Sequence, residues 1–293
     1  MQHRNQAIET LRIAAALFVV IFHSGVTGTS FGGMSAFIAI TMLFEAGALY
    51  TRSPSIGTLS IKLLIPWAFW FAVYTMFSLV FGRPRALPHS SFVQWILVGP
   101  AWHLWYLPFL FGVLVAFRLA RQFIEQQTMR TIATAATLVM IATMSFWRPA
   151  AEAASPPVEQ YLGALPAVLV GIVIGTSIGD RSGRAIFLSV GGLIAASILG
   201  SGTLAPAAIS GVLLIACLHL GPLLPPRFDV QWLSSRMLGV YLIHPLFLHA
   251  LYQPLSGYGL LYPLAAFAAS IAVTVGFHWV RARTPLVSIP SPL

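Results

Sequence analysis

Arg12 and His23 bracket ten residues, none of them ionisable, in the run LRIAAALFVVIFHS at 11–24. Such groups are expensive in an apolar helix: an ionisable side chain at the centre of a bilayer costs ~2.5–3.5 kcal/mol on insertion scales. At 3.6 residues per turn, eleven steps return the helix to within about 20° of its start after a rise of about 16 Å. Arg12 and His23 therefore look out of one face, the cation near one mouth and the titratable ring deeper. That arrangement suits an elongated anionic ligand reaching along a common passage. The alternative is that Arg12 snorkels to lipid phosphate and His23 is a hydrogen-bonded interface histidine. Spacing alone leaves both readings open.

Other chemistry-bearing residues carry the same double reading. His244, in GVYLIHPLF at 239–247, follows Tyr241 by three positions and can share its face. Pro245 behind it removes a backbone donor and can kink the helix. His244 is either a substrate-facing group or a helix-packing one. His103 lies in AWHLWYLP at 101–108, with Trp102, Trp105 and Tyr106 beside it. These aromatics are either an interfacial belt or a platform for a sugar face, with His103 bonding its hydroxyls. Glu45 needs a partner inside its span, Arg12 or Lys62, or else a proton. Glu9 is expected to pair with Arg12 or Arg4, and His219, His249 and His278 read as structural. The histidines are dispersed, there is no HExxH, and Cys217 is the only cysteine, so neither a metal site nor a disulfide is expected. No P-loop or GxGxxG is present.

The elements that must hold these residues follow from composition. The chain is 58% hydrophobic and 8% charged, with mean hydropathy +0.85, whereas soluble domains carry about 25% charged residues. A bilayer is the expected solvent, with about 20 apolar residues per crossing. Ten spans are predicted, at 8–28, 31–51, 59–81, 103–121, 130–148, 161–179, 184–200, 204–220, 234–254 and 258–280. Residues 91–99 are apolar but too short to cross. The first run has no small-residue cleavage site and is followed by further spans, so it is not expected to be a signal peptide. The fold class is thus all-α, a polytopic membrane helical bundle of about ten transmembrane helices forming a single domain over 1–293.

The net charge of +9 is scattered between apolar runs, the mark of topology rather than of nucleic-acid binding. With a cytoplasmic N-terminus, Arg4, Arg12, Arg52, Lys62, Arg118, Arg121, Arg130, Arg181, Arg184, Arg227, Arg236, Arg281 and Arg283 fall inside. Arg83, Arg85 and Arg148 fall outside. The positive-inside rule then puts both termini in the cytoplasm.

Five segments together carry a family resemblance. IETLRIAAALFVVIFHSG at 8–25 resembles the first helix of the integral-membrane acyltransferases of the acyltransferase-3 family, marked by an Arg, ten residues and a His, with Glu9 matching an acidic residue shortly before the Arg. FEAGAL at 44–49 sits where the family typically has Phe-x-Ser-Gly-Phe-Leu; Gly47 matches and Ala46 replaces the serine. SIKLLIPWAFW at 60–70 is similar to a basic-then-Pro opening of the third span, with Lys62 and Pro66 matching and a second basic residue absent. WHLWYLPFLFG at 102–112 and LGVYLIHPLFL at 238–248 resemble the later histidine-containing segments.

The resemblance implies an O-acyltransferase of the bacterial inner membrane. It would move an acyl group, usually acetyl from acetyl-coenzyme A, to a hydroxyl of an extracytoplasmic or lipid-linked sugar in exopolysaccharide or lipopolysaccharide. Arg12, Lys62, Arg52 and Arg236 are then candidates for the coenzyme A phosphates. His23, with an ordinary pKa of about 6.5, is the candidate general base, and an acyl-histidine is a second possible route. His103, Trp105, Tyr106 and His244 are the candidate acceptor-binding residues. Two rivals stand beside this reading: a transporter or flippase for a lipid-linked saccharide, and a silent scaffold in polysaccharide synthesis.

Overall fold

The computed structural model describes residues 5–26, 32–48, 55–81, 92–179, 183–200, 202–221 and 230–283, and no strand occurs among them. Helix α1 (Gln6–Ser24) starts at Asn5, whose side chain accepts from the Ile8 N–H. It stops at Gly25, left-handed at φ 70°, whose N–H returns to the Phe22 carbonyl. Glycine takes that φ without steric cost. α2 (Gly33–Ala48) runs back, and α3 (Ile56–Val80), capped by Ser55, runs out again. The short α4 (Phe92–Val98) is followed by a 3₁₀ turn, Trp102–Trp105, leading into α5 (Tyr106–Ala120).

Next come α6 (Gln126–Ala142), α7 (Met144–Ala153) and α8 (Val158–Thr176). α9 (Arg184–Ile186) passes through a π-helical stretch, Phe187–Gly191, into α10 (Gly192–Ile198). The chain ends with α11 (Ala205–Leu220), the single turn α12 (Gln231–Ser234), α13 (Met237–Leu255), a 3₁₀ turn at Ser256–Tyr258 and α14 (Leu261–Arg281).

Among the described residues, five helices are long and apolar enough to cross a membrane: α1, α3, Trp102–Ala120, α8 and α14. The pair α6 and α7 makes a sixth if its 77° bend lies within one span. α2, Arg184–Ile198 and α11 are shorter apolar helices. The bend interrupts the predicted span at 130–148. Its second half carries Arg148, which pairs with Glu152 at 2.5 Å, and Trp147 turns its indole N–H back onto the Met140 carbonyl at 2.8 Å. Arg148 and Glu152 would be costly to leave unpaired within a span, and here they pair with each other.

α2 is the central helix, packed on α1, α8 and α11. Small residues permit the closest of these approaches. A Cβ on Gly171 would lie 2.5 Å from the Ala39 carbonyl, and one on Gly175 would lie 2.6 Å from the Leu43 carbonyl and 2.8 Å from Ala46 Cβ. This is small-residue packing at four-residue spacing, the form that lets membrane helices gain dispersion energy without a hydrophobic driving force. Ala46 is fully buried in that seam.

Glu45 pairs with neither Arg12 nor Lys62. Its partner is Arg118 on α5, in a fork with Nε to Oε1 at 2.6 Å and Nη2 to Oε2 at 3.0 Å. Arg118 is 5% exposed, so the bidentate geometry is what offsets the desolvation of both charges.

One end of the bundle is tied by polar contacts at the start of α1 and between α6 and α8. Asn5 donates to the Cys217 carbonyl at 2.9 Å, Val230 N–H to the Gln6 side chain at 3.3 Å, and Gln126 to the Thr176 carbonyl at 3.0 Å. The opposite end, where α1 finishes, is closed by Val20, Leu248, Tyr262 and Ala266. Following the helices from end to end, Arg12, Lys62, Arg118, Arg121, Arg130, Arg184, Arg236, Arg281 and Arg283 belong to the first end. Among the described cations Arg148 belongs to the second.

Candidate active site

Three elements bring three histidines together. His23 comes from the last turn of α1, His103 from the 3₁₀ turn before α5, and His244 from the middle of α13. The ring centroid of His23 lies 5.0 Å from that of His244 and 6.4 Å from that of His103, and the His103 and His244 centroids are 5.4 Å apart. Tyr74 from α3 stands 5.1 Å from His103 edge-on, with its hydroxyl donating to the Leu242 carbonyl at 2.7 Å. The Tyr241 hydroxyl donates to the main-chain carbonyl of His103. Among the described residues, no group of three His, Cys, Asp or Glu is disposed to hold a metal ion.

The hydrogen bonds fix the tautomers. His244 Nδ1 lies 2.6 Å from the Tyr241 carbonyl, which can only accept, so Nδ1 carries the proton and Nε2 of the neutral ring carries a lone pair. That Nε2 is 3.2 Å from His23 Nδ1, which is also 2.9 Å from the Val19 carbonyl. With two acceptors before it, His23 Nδ1 is the N–H, and His23 Nε2 is left with the lone pair a general base requires. His103 is 3% exposed, and its Nε2 has no hydrogen-bond partner among the described residues.

Two cavities flank this cluster. The outer, about 200 Å³, is lined by Val19, Phe22, His23, Met34, Ser35, His103 and Trp105. The inner, about 290 Å³, is lined by Arg12, Lys62, Thr41, Tyr106, Ser234, Ser235 and Tyr241 together with leucines of α3, α5 and α13. Arg12 is held in its wall by Glu9 at 3.0 Å and Ser234 at 3.3 Å, and Ser234 itself donates to Glu9. The guanidinium also sits 5.6 Å from the Phe44 ring centroid, in cation–π range.

Arg12 and His23 thus line separate cavities rather than the one passage that their helical register suggests. Tyr106 and Tyr241, entering from α5 and α13 with rings 5.3 Å apart, form the wall of the inner cavity on the side of the histidines. Tyr241 lines the inner cavity and bonds His103, which lines the outer one.

The predicted residues divide accordingly. Arg12 and Lys62 meet at the inner cavity, while His23, His103 and Trp105 meet at the outer one. Tyr106 faces the inner cavity, beside the cations, and not the outer. His244 is fully buried and lines neither. Arg236 also lines neither; it lies 5.7 Å over the Trp232 ring and donates to that residue's carbonyl. Arg52 lies outside the described residues. Tyr74, Thr41 and Ser234 belong to the site without having been singled out in the sequence. Pro66, Trp70 and Tyr74, buried at four-residue spacing on α3, mark a face that could have revealed Tyr74; nothing in the sequence sets Ser234 apart.

The chain matches the model of a family described as an acyltransferase domain over residues 5–279. No curated protein and no solved structure matches it.

Proposed function

Because this chain belongs to the acyltransferase-3 family, we propose that it transfers an acyl group, acetyl in the first instance, from acyl-coenzyme A to a sugar hydroxyl across a bacterial inner membrane. In this reading the predicted spans cross the bilayer, the one at 130–148 as the bent pair α6 and α7, with both termini and the Arg12 end cytoplasmic. The donor's phosphates meet Arg12 and Lys62, and its pantetheine arm follows the leucine-lined inner cavity toward Tyr241. The acceptor hydroxyl enters the outer cavity beside His23, with His103 and Trp105 against the sugar.

The chemistry is a single displacement, and it requires the Tyr106–Tyr241 pair to swing aside so that the thioester passes from the inner cavity to the acceptor hydroxyl in the outer one. The hydroxyl proton passes to His23 Nε2 as the oxygen bonds the thioester carbonyl carbon. The carbon–sulfur bond then breaks, and the imidazolium returns its proton to the coenzyme A sulfur. A positioned base is worth ~10²–10⁴-fold in such a step. The outer cavity is smaller than the roughly 300–1,000 Å³ of drug-sized ligand sites, which favours one ring of a membrane-proximal glycan, in exopolysaccharide or lipopolysaccharide, over a long chain segment.

The observation that carries this reading is the His23 lone pair: Nδ1 is committed to Val19 and His244, so Nε2 is the basic nitrogen of a residue lining a cavity. The test is coenzyme A release from acetyl-coenzyme A by the purified protein, with and without His23→Ala. Turnover is expected to vanish in the variant while acetyl-coenzyme A binding persists. Full turnover in the variant sinks the assignment, and movement of a labelled lipid-linked saccharide with no donor consumed would establish a transporter instead.

A further inference from the structure

We infer that His244 is a positioning residue for the base, and that Pro245 is what makes it one. This rests on the reading of His23 as the base.

In an α-helix the N–H of residue 245 would bond the carbonyl of residue 241. Pro245 has no N–H, so the Tyr241 carbonyl is left without its helical donor in the middle of a buried segment. A buried carbonyl without a partner is costly, and the group that satisfies it is the neighbouring imidazole, with His244 Nδ1 at 2.6 Å. That bond places the proton on Nδ1 and turns the Nε2 lone pair toward His23 Nδ1, 3.2 Å away.

The Val19 carbonyl alone could hold His23 Nδ1–H from within α1. His244 adds an acceptor from another helix, so the ring is pinned between two elements and the lone pair stays on Nε2. When His23 takes a proton from the acceptor, the same two acceptors face the new imidazolium. His244 is 0% exposed and lines neither cavity, so it cannot touch donor or acceptor; its effect must pass through His23. A histidine followed by proline, which in sequence looks like a kink beside a packing residue, is in this geometry a device for presenting a lone pair.

The experiment measures kcat and KM for coenzyme A release from acetyl-coenzyme A, using the full chain in detergent or nanodiscs, for four variants. His244→Leu removes both nitrogens and is expected to lower kcat by about 10- to 100-fold, part of the ~10²–10⁴-fold that a positioned base supplies, with KM within about twofold of the parent. His244→Gln offers an amide oxygen to His23 and an amide N–H to Tyr241, and is expected to recover part of the loss. Pro245→Ala keeps His244 but restores the backbone N–H that competes for the Tyr241 carbonyl. It is helix-favouring, so it tests the idea even if His244→Leu does not fold, and kcat is expected to fall several-fold.

The inference is overturned if His244→Leu or a folded Pro245→Ala keeps kcat within twofold of the parent. It is also overturned if Leu and Gln lose turnover equally with KM raised, the pattern of a packing role. His23→Ala separates the two levels. If it stays active, the base assignment fails and this inference falls with it. If it is inactive while His244→Leu is fully active, only the role of His244 is lost.

Discussion

Arg12 shows how a cationic side chain is held rigid inside a bundle. Glu9, 1% exposed, and Ser234 fix the guanidinium from two helices, so little side-chain entropy remains to be lost on binding. Arg12→Ala is expected to raise KM for acetyl-coenzyme A by about 10- to 100-fold, as for a lost charge-assisted bond of ~1.5–3 kcal/mol, and to lower kcat less. Lys62, whose exposed side chain has a more flexible stem, is expected to matter less: Lys62→Ala should raise KM by about threefold to tenfold. Steady-state kinetics on the two variants checks the order, and an effect of Arg12→Ala confined to kcat would remove its binding role. The Arg-to-His spacing was legible in the sequence because helical periodicity alone puts residues eleven apart on one face. The partner of Glu45 was not, because Arg118 is 73 positions away and local spacing says nothing about which helices become neighbours. The meeting of His23, His103 and His244 was hidden for the same reason.

At the scale of elements, most helices were readable because an apolar run between glycine- and proline-rich breaks has one stable form in lipid. The break at Thr143 was not, since hydropathy counts residues and does not register that Arg148, Pro149 and Glu152 share one short helix. Ala46, at the position where the family typically has serine, faces Gly175 where α2 and α8 nearly touch, so a small residue is required there; nothing in the structure explains alanine over serine. The two glycines of that seam give a paired prediction with Gly163, one helix but a different environment. Gly171→Ala puts a Cβ 2.5 Å from a backbone carbonyl and 2.6 Å from Met42 Cβ, so the helices must separate, at a cost of about 1–3 kcal/mol. Gly163→Ala meets nothing within 4 Å and removes a helix-interior glycine, which is worth roughly 0.5–1 kcal/mol in its favour. Thermal unfolding in detergent should therefore show the midpoint falling for Gly171→Ala and holding or rising for Gly163→Ala. The same midpoint shift in both would mean that the α2–α8 contact does not limit stability.

For the whole molecule, the division into two cavities and the charge asymmetry go together: cations gather at the end where Arg12 and Lys62 stand, and His23 and His103 line the cavity toward the other. The asymmetry was visible in the sequence as a bias of Lys and Arg between alternate loops, whereas the meeting of Tyr106 and Tyr241 was not, because they come from helices that meet only in the folded bundle. Charge bias orients membrane proteins during insertion, so the Arg12 end is expected to face the cytoplasm and the outer cavity the opposite compartment. Two reporter positions decide this. Thr10, exposed on α1 two residues before Arg12, marks one end; Gly257, between α13 and α14 with open space around an added Cβ, marks the other. In a Cys217→Ser background, which removes the chain's own thiol, a membrane-impermeant maleimide applied to intact cells should label Gly257→Cys and spare Thr10→Cys. Opening the cytoplasmic side should then expose Thr10→Cys to the reagent. The reverse pattern would put Arg12 and Lys62 in the compartment that holds no coenzyme A and leave the inner cavity without its donor. Labelling of both from outside would mean that these two ends of the bundle do not face opposite compartments.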